Sequence, residues 1–144
     1  MKILKLISEN LISSKTKISL DLGCGPDGFL DVCKNLFKKL CGYDLNKKMR
    51  EWKISKINSI LNNLYEVNNI NVLSLFHVLE HIKNPLEFVE EIKEKFLNLE
   101  TIIIEVPNKD ELLISEFDSK AYKNNHYSLE HIDYFNSSTL TGLL

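Results

Sequence analysis

Apolar residues recur along this chain in two rhythms, and the switches between them mark its elements. Ile3, Leu4, Leu6, Ile7, Leu11 and Ile12 fall near helical spacing and predict an amphipathic helix over residues 1–15. Ile18–Leu22 is a short apolar run with a β-branched first residue, ended by glycines, and predicts a buried strand. Helical spacing returns with Phe29, Leu30, Val32, Cys33, Leu36, Phe37 and Leu40. Cys41, Gly42, Tyr43 and Asp44 then form a second short strand closed by an acid. The three pieces make a β-α-β unit of about 30 residues, the length a parallel crossover needs.

Residues 46–69 fit neither period well, because asparagines interrupt the apolar positions. A short helix over 48–52, a weak strand over 54–60 and a turn at Asn68 and Asn69 are the expectation there. Residues 70–78 form an apolar run suited to a central strand. Asn84 is placed to cap a helix through Leu97, with Pro85 at its first position. Leu86, Val89, Ile92, Lys93 and Phe96 form its inward stripe, and Glu87, Glu90, Glu91 and Glu94 point to water. Residues 101–106 are another buried strand, stopped by Pro107. Strands alternating with helices predict an α/β fold, a Rossmann-like and mostly parallel sheet with helices on both faces. No repeat or linker interrupts residues 1–144, so a single domain is expected, with a lid segment over 109–135 and a helix begun by 140–144.

Composition narrows the function classes. A hydrophobic content of 44% over 144 residues suffices for a core without a disulfide or metal staple. The net charge of −2 arises from mixed acids and bases, and Arg50 is the only arginine, so nucleic acid is not expected as a partner. Cys24, Cys33 and Cys41 lie within regular segments and lack the paired Cys-x-x-Cys spacing of a zinc site, so they read as reduced thiols and no metal is expected. No apolar stretch approaches the roughly 20 residues of a membrane span. Ser8, Glu9 and Asn10 break the first apolar run before it could serve as a signal sequence. A cytoplasmic protein is the expectation.

The chemistry concentrates after the first strand. Gly23, Gly25 and Gly28 have the spacing Gly-x-Gly-x-x-Gly between a strand and a helix, where a chain without β-carbons can turn sharply and approach a ligand. Asp44, 21 residues beyond Gly23, is placed to accept hydrogen bonds from two ribose hydroxyls. These two features fit a nicotinamide cofactor or S-adenosylmethionine equally. Asp21 favours the second, because a carboxylate beside the loop repels a pyrophosphate and suits an ammonium and a sulfonium.

Leu20-Asp21-Leu22-Gly23-Cys24-Gly25 resembles the first motif of class I methyltransferases, and Gly42-Tyr43-Asp44-Leu45-Asn46 resembles their second. Phe76-His77-Val78-Leu79-Glu80-His81-Ile82 is similar to the segment after the fourth strand in the ubiquinone-biosynthesis-type O-methyltransferase group. Residues 126–144 resemble a later helix start in that group. The resemblance implies S-adenosylmethionine as cofactor, with Asp21, Gly23, Cys24, Gly25, Asp44, Leu45, Phe76 and His77 around it. It also places Glu80 and His81 at the active-site mouth; imidazole titrates near neutrality, so any of His77, His81, His126 and His131 could serve as general base, and that placement ranks His81 first. The implied acceptor is a small molecule or a glycan or lipid precursor.

Asp27 stands where that family usually has glycine, Asn71 where an acid is frequent, and the chain ends where the family continues into two more strands. These departures predict a sheet cut short after its fifth strand, or a small one whose exposed edge a second copy covers. They keep open a truncated or degenerate domain that binds cofactor or a partner without catalysis. The glycine spacing alone keeps open an NAD-dependent oxidoreductase.

Overall fold

The computed structural model describes residues 14–25, 29–33, 35–54, 60–110 and 131–144. The helix expected over 1–15 and most of the segment expected over 109–135 lie outside the described residues. By contact the chain gathers into two compact units, residues 1–76 with 95–103, and residues 77–94 with 104–144.

The first unit is built on β1 (Ile18–Leu22), α1 (Phe29–Cys33), β2 (Lys39–Tyr43), α2 (Lys47–Ile54) and β3 (Val72–Phe76). With β4 (Thr101–Glu105) the strands form one sheet in the order β2-β1-β3-β4. Both neighbours of β1 run parallel to it, Leu20 lying opposite Cys41 on one side and Leu73 on the other. Four of the five residues of β1 are buried, as are four of β3, so both faces of these strands are covered and the apolar run is nearly continuous. Asn71 fastens the start of the sheet. Its side-chain oxygen accepts from Ile18 N–H at 3.0 Å, its amide donates to Glu100 at 3.0 Å, and Lys17 reaches the same carboxylate at 2.8 Å.

Two expectations need correction. The helix expected through Leu40 ends at Cys33, because Lys39 must already lie in β2 opposite Ile18. Phe37 and Leu40 still join Leu30 and Cys33 in one buried cluster, from a turn and a strand, which is why their spacing imitated a helix. The helix expected over 48–52 runs from Lys47 through Ile54, so that Ile54 lies in α2 and not in the strand expected over 54–60. Ile60 makes a single parallel bridge to Gly42, whose carbonyl accepts from Leu61 N–H at 2.8 Å. Residues 55–59 lie outside the described residues.

The second unit carries a 3-10 turn (Leu79–His81), all of α3 (Pro85–Lys95) except Lys95, and α4 (Ser137–Leu143). Helix α3 begins at Pro85 as its fixed φ favours. Val89 and Ile92 are its buried residues, while Leu86 is 51% exposed and Lys93 donates to the Leu144 carbonyl at 2.8 Å, so the inward stripe is narrower than expected. Helix α4 is held by a reciprocal capping box. Thr139 N–H donates to the Asn136 side chain at 2.9 Å, and Asn136 N–H donates to the Thr139 hydroxyl at 2.9 Å. No helix among the described residues is long and apolar enough to cross a membrane.

Candidate cofactor and acid–base sites

The carboxyl ends of β1 and β2 are joined by hydrogen bonds that shape a loop. Gly23 and Gly25 adopt φ of +77° and +40°, the left-handed region in which a β-carbon is strained. Gly23 N–H and Cys24 N–H both donate to the Tyr43 carbonyl, at 2.7 and 3.1 Å. Gly25 N–H donates to Asp44 Oδ2 at 2.9 Å, and Asn46 N–H donates to Asp44 Oδ1 at 2.7 Å. The acid that closes β2 therefore ties the glycine loop to its own turn. Each carboxylate oxygen accepts one of these bonds and keeps a further lone pair. Gly28 lies outside the described residues.

Gly23 is exposed, and Gly25 and Asp44 are half-buried. Among the described residues, a β-carbon built on Gly25 would meet only the Gly23 carbonyl oxygen, at 3.9 Å. Leu45 is 84% exposed. A glycine turn beside a carboxylate with spare acceptor capacity and an exposed apolar side chain fits an adenosine with ribose hydroxyls, and residues Gly23, Gly25, Asp44 and Leu45 would hold it. Phe76, at the end of β3, packs edge-on against Phe29 with ring centroids 4.6 Å apart.

Two residues expected here turn inward. Cys24 is buried, and its sulfur lies 3.0 Å from where a β-carbon on Gly42 would stand, so only its backbone belongs to the loop. Asp21 is 2% exposed, and Ser74 donates to its Oδ1 at 2.7 Å from the adjacent strand. Its charge also raises the Cys33 thiol, whose pKa is pushed up to about 11 by burial first and by Asp21 second. Arg50 was not singled out by sequence as a site residue. From α2 its guanidinium donates to the carbonyls of Asp44 and Leu45, at 2.5 and 3.1 Å, and lies over the Tyr43 ring, 5.4 Å from the centroid.

The second unit brings His77, Glu80, His81 and His131 together. His77 has a φ of +54°, the single non-glycine residue with positive φ among those described, a conformation that costs about 1–3 kcal/mol unless its surroundings enforce it. They do so through three contacts. Its N–H donates to the Glu105 carbonyl at 2.9 Å, its Nδ1 lies 3.2 Å from Glu80 Oε1, and its Nε2 lies 3.6 Å from Glu105 Oε1. Glu80 is 1% exposed, and its Oε2 has no hydrogen-bond partner among the described residues. The Glu80 carbonyl accepts from Ile132 N–H at 2.7 Å and from Asp133 N–H at 3.2 Å, which seats the 131–133 segment beside it. The His81 and His131 rings meet edge to face with centroids 5.0 Å apart.

A carboxylate oxygen of Glu80 and one ring nitrogen each of His81 and His131 lie within 4.8 Å of one another, donors that could hold a divalent cation. Cysteine spacing carries no signal for this set, whose His131 lies about 50 residues from Glu80 and His81 in the chain. In the same unit, Ile104, Val106, Phe135 and Leu140 line a cleft of about 290 Å³ whose polar groups come from Glu105, Asn108, Asn136 and Ser137.

A family model described as a methyltransferase domain matches residues 2–144. Among solved structures, this chain is similar to a SAM-dependent methyltransferase of Archaeoglobus fulgidus, with 20% identity, 99% of this chain and 66% of that one covered, and a TM-score of 0.68. A putative methyltransferase of Bacillus halodurans gives 13% identity, 100% and 67% coverage and a TM-score of 0.67. The plantazolicin methyltransferase BpumL, in complex with SAH, gives 24% identity, 95% and 58% coverage and a TM-score of 0.66. A stretch of 102 residues is 31% identical to the reticulocyte-binding protein homolog 1 of Plasmodium falciparum, 62% of this chain and 3% of that protein. The chain thus spans about two thirds of the first of these structures and a small part of the curated relative.

Proposed function

This chain belongs to the methyltransferase domain family, and from that premise we propose that it binds S-adenosylmethionine and transfers its methyl group to a small molecule or a glycan or lipid precursor. The observation that carries the reading is Asp44. Its carboxylate is fixed at the end of β2 by two backbone amides and retains acceptor capacity for a pair of ribose hydroxyls. Gly23 and Gly25 let the backbone approach the cofactor, Cys24 contributes its peptide group, and Leu45 covers the adenine. Phe76 and His77 complete the set assigned to cofactor binding. Asp21, tied to Ser74, acts by holding the end of β1 and by its negative charge toward a cationic ligand.

S-adenosylmethionine, when bound, supplies a methyl group already activated on a sulfonium. The protein's share is then positioning, exclusion of water and disposal of the acceptor's proton. His81 is assigned to take that proton, and Glu80, buried beside it in sequence, orients the histidine segment. The family match sets aside the nicotinamide reading. A cofactor-binding domain without catalysis is the second reading, and the enclosed Glu80 carboxylate favours it.

Calorimetric titration with S-adenosylhomocysteine and with NAD tests the proposal. Saturable binding of the first and none of the second is expected, and Asp44→Ala should weaken the first by about 1–3 kcal/mol. No binding of S-adenosylhomocysteine refutes the proposed function. If the cofactor binds, transfer of a labelled methyl group from it to any acceptor refutes the non-catalytic reading.

A further inference from the structure

We infer that Arg50 is a positioning residue for the cofactor, setting the turn after β2 so that the Asp44 carboxylate is presented in a fixed orientation. The inference rests on the proposed S-adenosylmethionine site and adds a residue that neither glycine spacing nor motif resemblance points to.

Three consecutive residues leave β2, namely Tyr43, Asp44 and Leu45, and Arg50 engages each of them. Its guanidinium lies over the Tyr43 ring, and Nη1 donates to the carbonyls of Asp44 and Leu45. Each group is otherwise a source of freedom. Tyr43 is the last residue of the strand, Leu45 is exposed, and the two peptide planes between them decide where the Asp44 side chain leaves the backbone. With both carbonyls drawn toward Arg50, the peptide N–H of Asn46 is turned to the Asp44 carboxylate, which it meets at 2.7 Å. The other carboxylate oxygen is then free to take Gly25 N–H at 2.9 Å.

Arg50 itself is anchored by the helix. Its N–H donates to the Asn46 carbonyl at 3.1 Å in the first turn of α2, and Lys48 N–H donates to the Asn46 side chain at 3.0 Å. The order of events in space is therefore helix, guanidinium, turn, carboxylate, glycine loop. Recognition of two vicinal hydroxyls by one carboxylate requires that carboxylate to be held in angle as well as in place, and a turn ordered before binding loses less entropy when the ligand arrives. A permanently charged group with two donors on one nitrogen serves both carbonyls while the cation rests over the aromatic face.

The test uses Arg50→Met, which keeps an apolar stem against Tyr43 and removes the donors, and Arg50→Lys, which returns a charged donor to the carbonyls. Dissociation constants for S-adenosylhomocysteine are measured by calorimetry for both, alone and combined with Asp44→Ala. Arg50→Met is expected to weaken binding about tenfold, the scale on which ordering one mobile side chain and its turn reduces affinity. Arg50→Lys should restore most of the loss. In the Asp44→Ala background, Arg50→Met should add no more than about twofold, since residues acting through one another are not additive.

In the ligand-free protein, the Gly25 amide proton, observed by NMR, should lose its downfield shift in Arg50→Met and regain it in Arg50→Lys. Equal losses for Met and Lys, full additivity with Asp44→Ala, or an unmoved Gly25 amide would each overturn the inference. Failure of the wild type to bind S-adenosylhomocysteine counts against the proposed function instead, and the Gly25 amide then decides the role of Arg50 alone.

Discussion

Gly42→Ala offers the sharpest test of the packing beneath the cofactor loop. Gly42 is buried as the fourth residue of β2, and a β-carbon there would stand 2.6 Å from Leu30 Cδ1, 2.8 Å from Ile60 Cδ1 and 3.0 Å from Cys24 Sγ. Carbon atoms prefer roughly 3.5–4.0 Å, so the closest contact is about 1 Å short. Leu30 is 1% exposed and Cys24 5%, which leaves little room for either to retreat. Inserting a methyl group into such a core costs about 1–3 kcal/mol, and the gain of alanine over glycine in a strand returns about 0.5–1 kcal/mol. The net expectation is a loss of about 1–2 kcal/mol. With a urea m-value of about 2 kcal/mol/M, the unfolding midpoint followed by circular dichroism falls by about 0.5–1 M at unchanged slope.

Ile60→Val removes the atom at 2.8 Å. Alone it should cost about 0.5–1.5 kcal/mol, and in the Gly42→Ala background it should cost less or nothing. Because Cys24 N–H is bonded to the Tyr43 carbonyl, displacement of its sulfur should also weaken S-adenosylhomocysteine binding. A Gly42→Ala protein with the wild-type midpoint, or full additivity with Ile60→Val, would show that these side chains do not close on Gly42.

Other consequences follow from the buried polar groups. Ser74→Ala removes a 2.7 Å bond to the enclosed Asp21 carboxylate and should lower stability by about 1–3 kcal/mol in the same urea assay; a neutral substitution would remove that bond from the account. Cys33, with its thiol raised from 9.0 to about 11, binds its proton more tightly folded than unfolded. Its contribution is therefore fully present below pH 9 and is lost as pH rises toward 11, by roughly 2–3 kcal/mol in all. Burial raises Cys41 in the same direction. Urea unfolding at a series of pH values should show this decline, and Cys33→Ala should flatten it; an unchanged slope refutes the assignment. Glu80→Leu removes the buried carboxylate that meets His77 Nδ1 at 3.2 Å and helps to hold its positive φ, and should lower stability by about 1–3 kcal/mol in the same urea assay. An unchanged or raised midpoint would show that this contact does not hold His77.

Where sequence and structure agree, the signal was local. The run Ile18–Leu22, the glycines after it and the acid at Asp44 specify a buried strand, a left-handed turn and a charged strand end. Each property belongs to residues close together in the chain. Pro85 likewise starts α3 through its own fixed φ. The resemblance to class I methyltransferases rested on these same short segments, and the family match joins them over residues 2–144.

What only tertiary structure decided involves partners distant in sequence. Nothing local ends α1 at Cys33; the register that sets Lys39 opposite Ile18 does. Asp21 looks like a loop-facing acid until Ser74, 53 residues away, is found bonded to it. The pairing of His81 with His131 and the clasp of Glu80 on the 131–133 segment needed the chain to return over 50 residues. Arg50 carried no motif at all. Its role lies in two backbone carbonyls, groups every residue possesses, and only folding places them within reach of the chain's single arginine. Side-chain periodicity records which face is apolar, while hydrogen bonds to backbone and buried charge pairs depend on what the fold sets opposite.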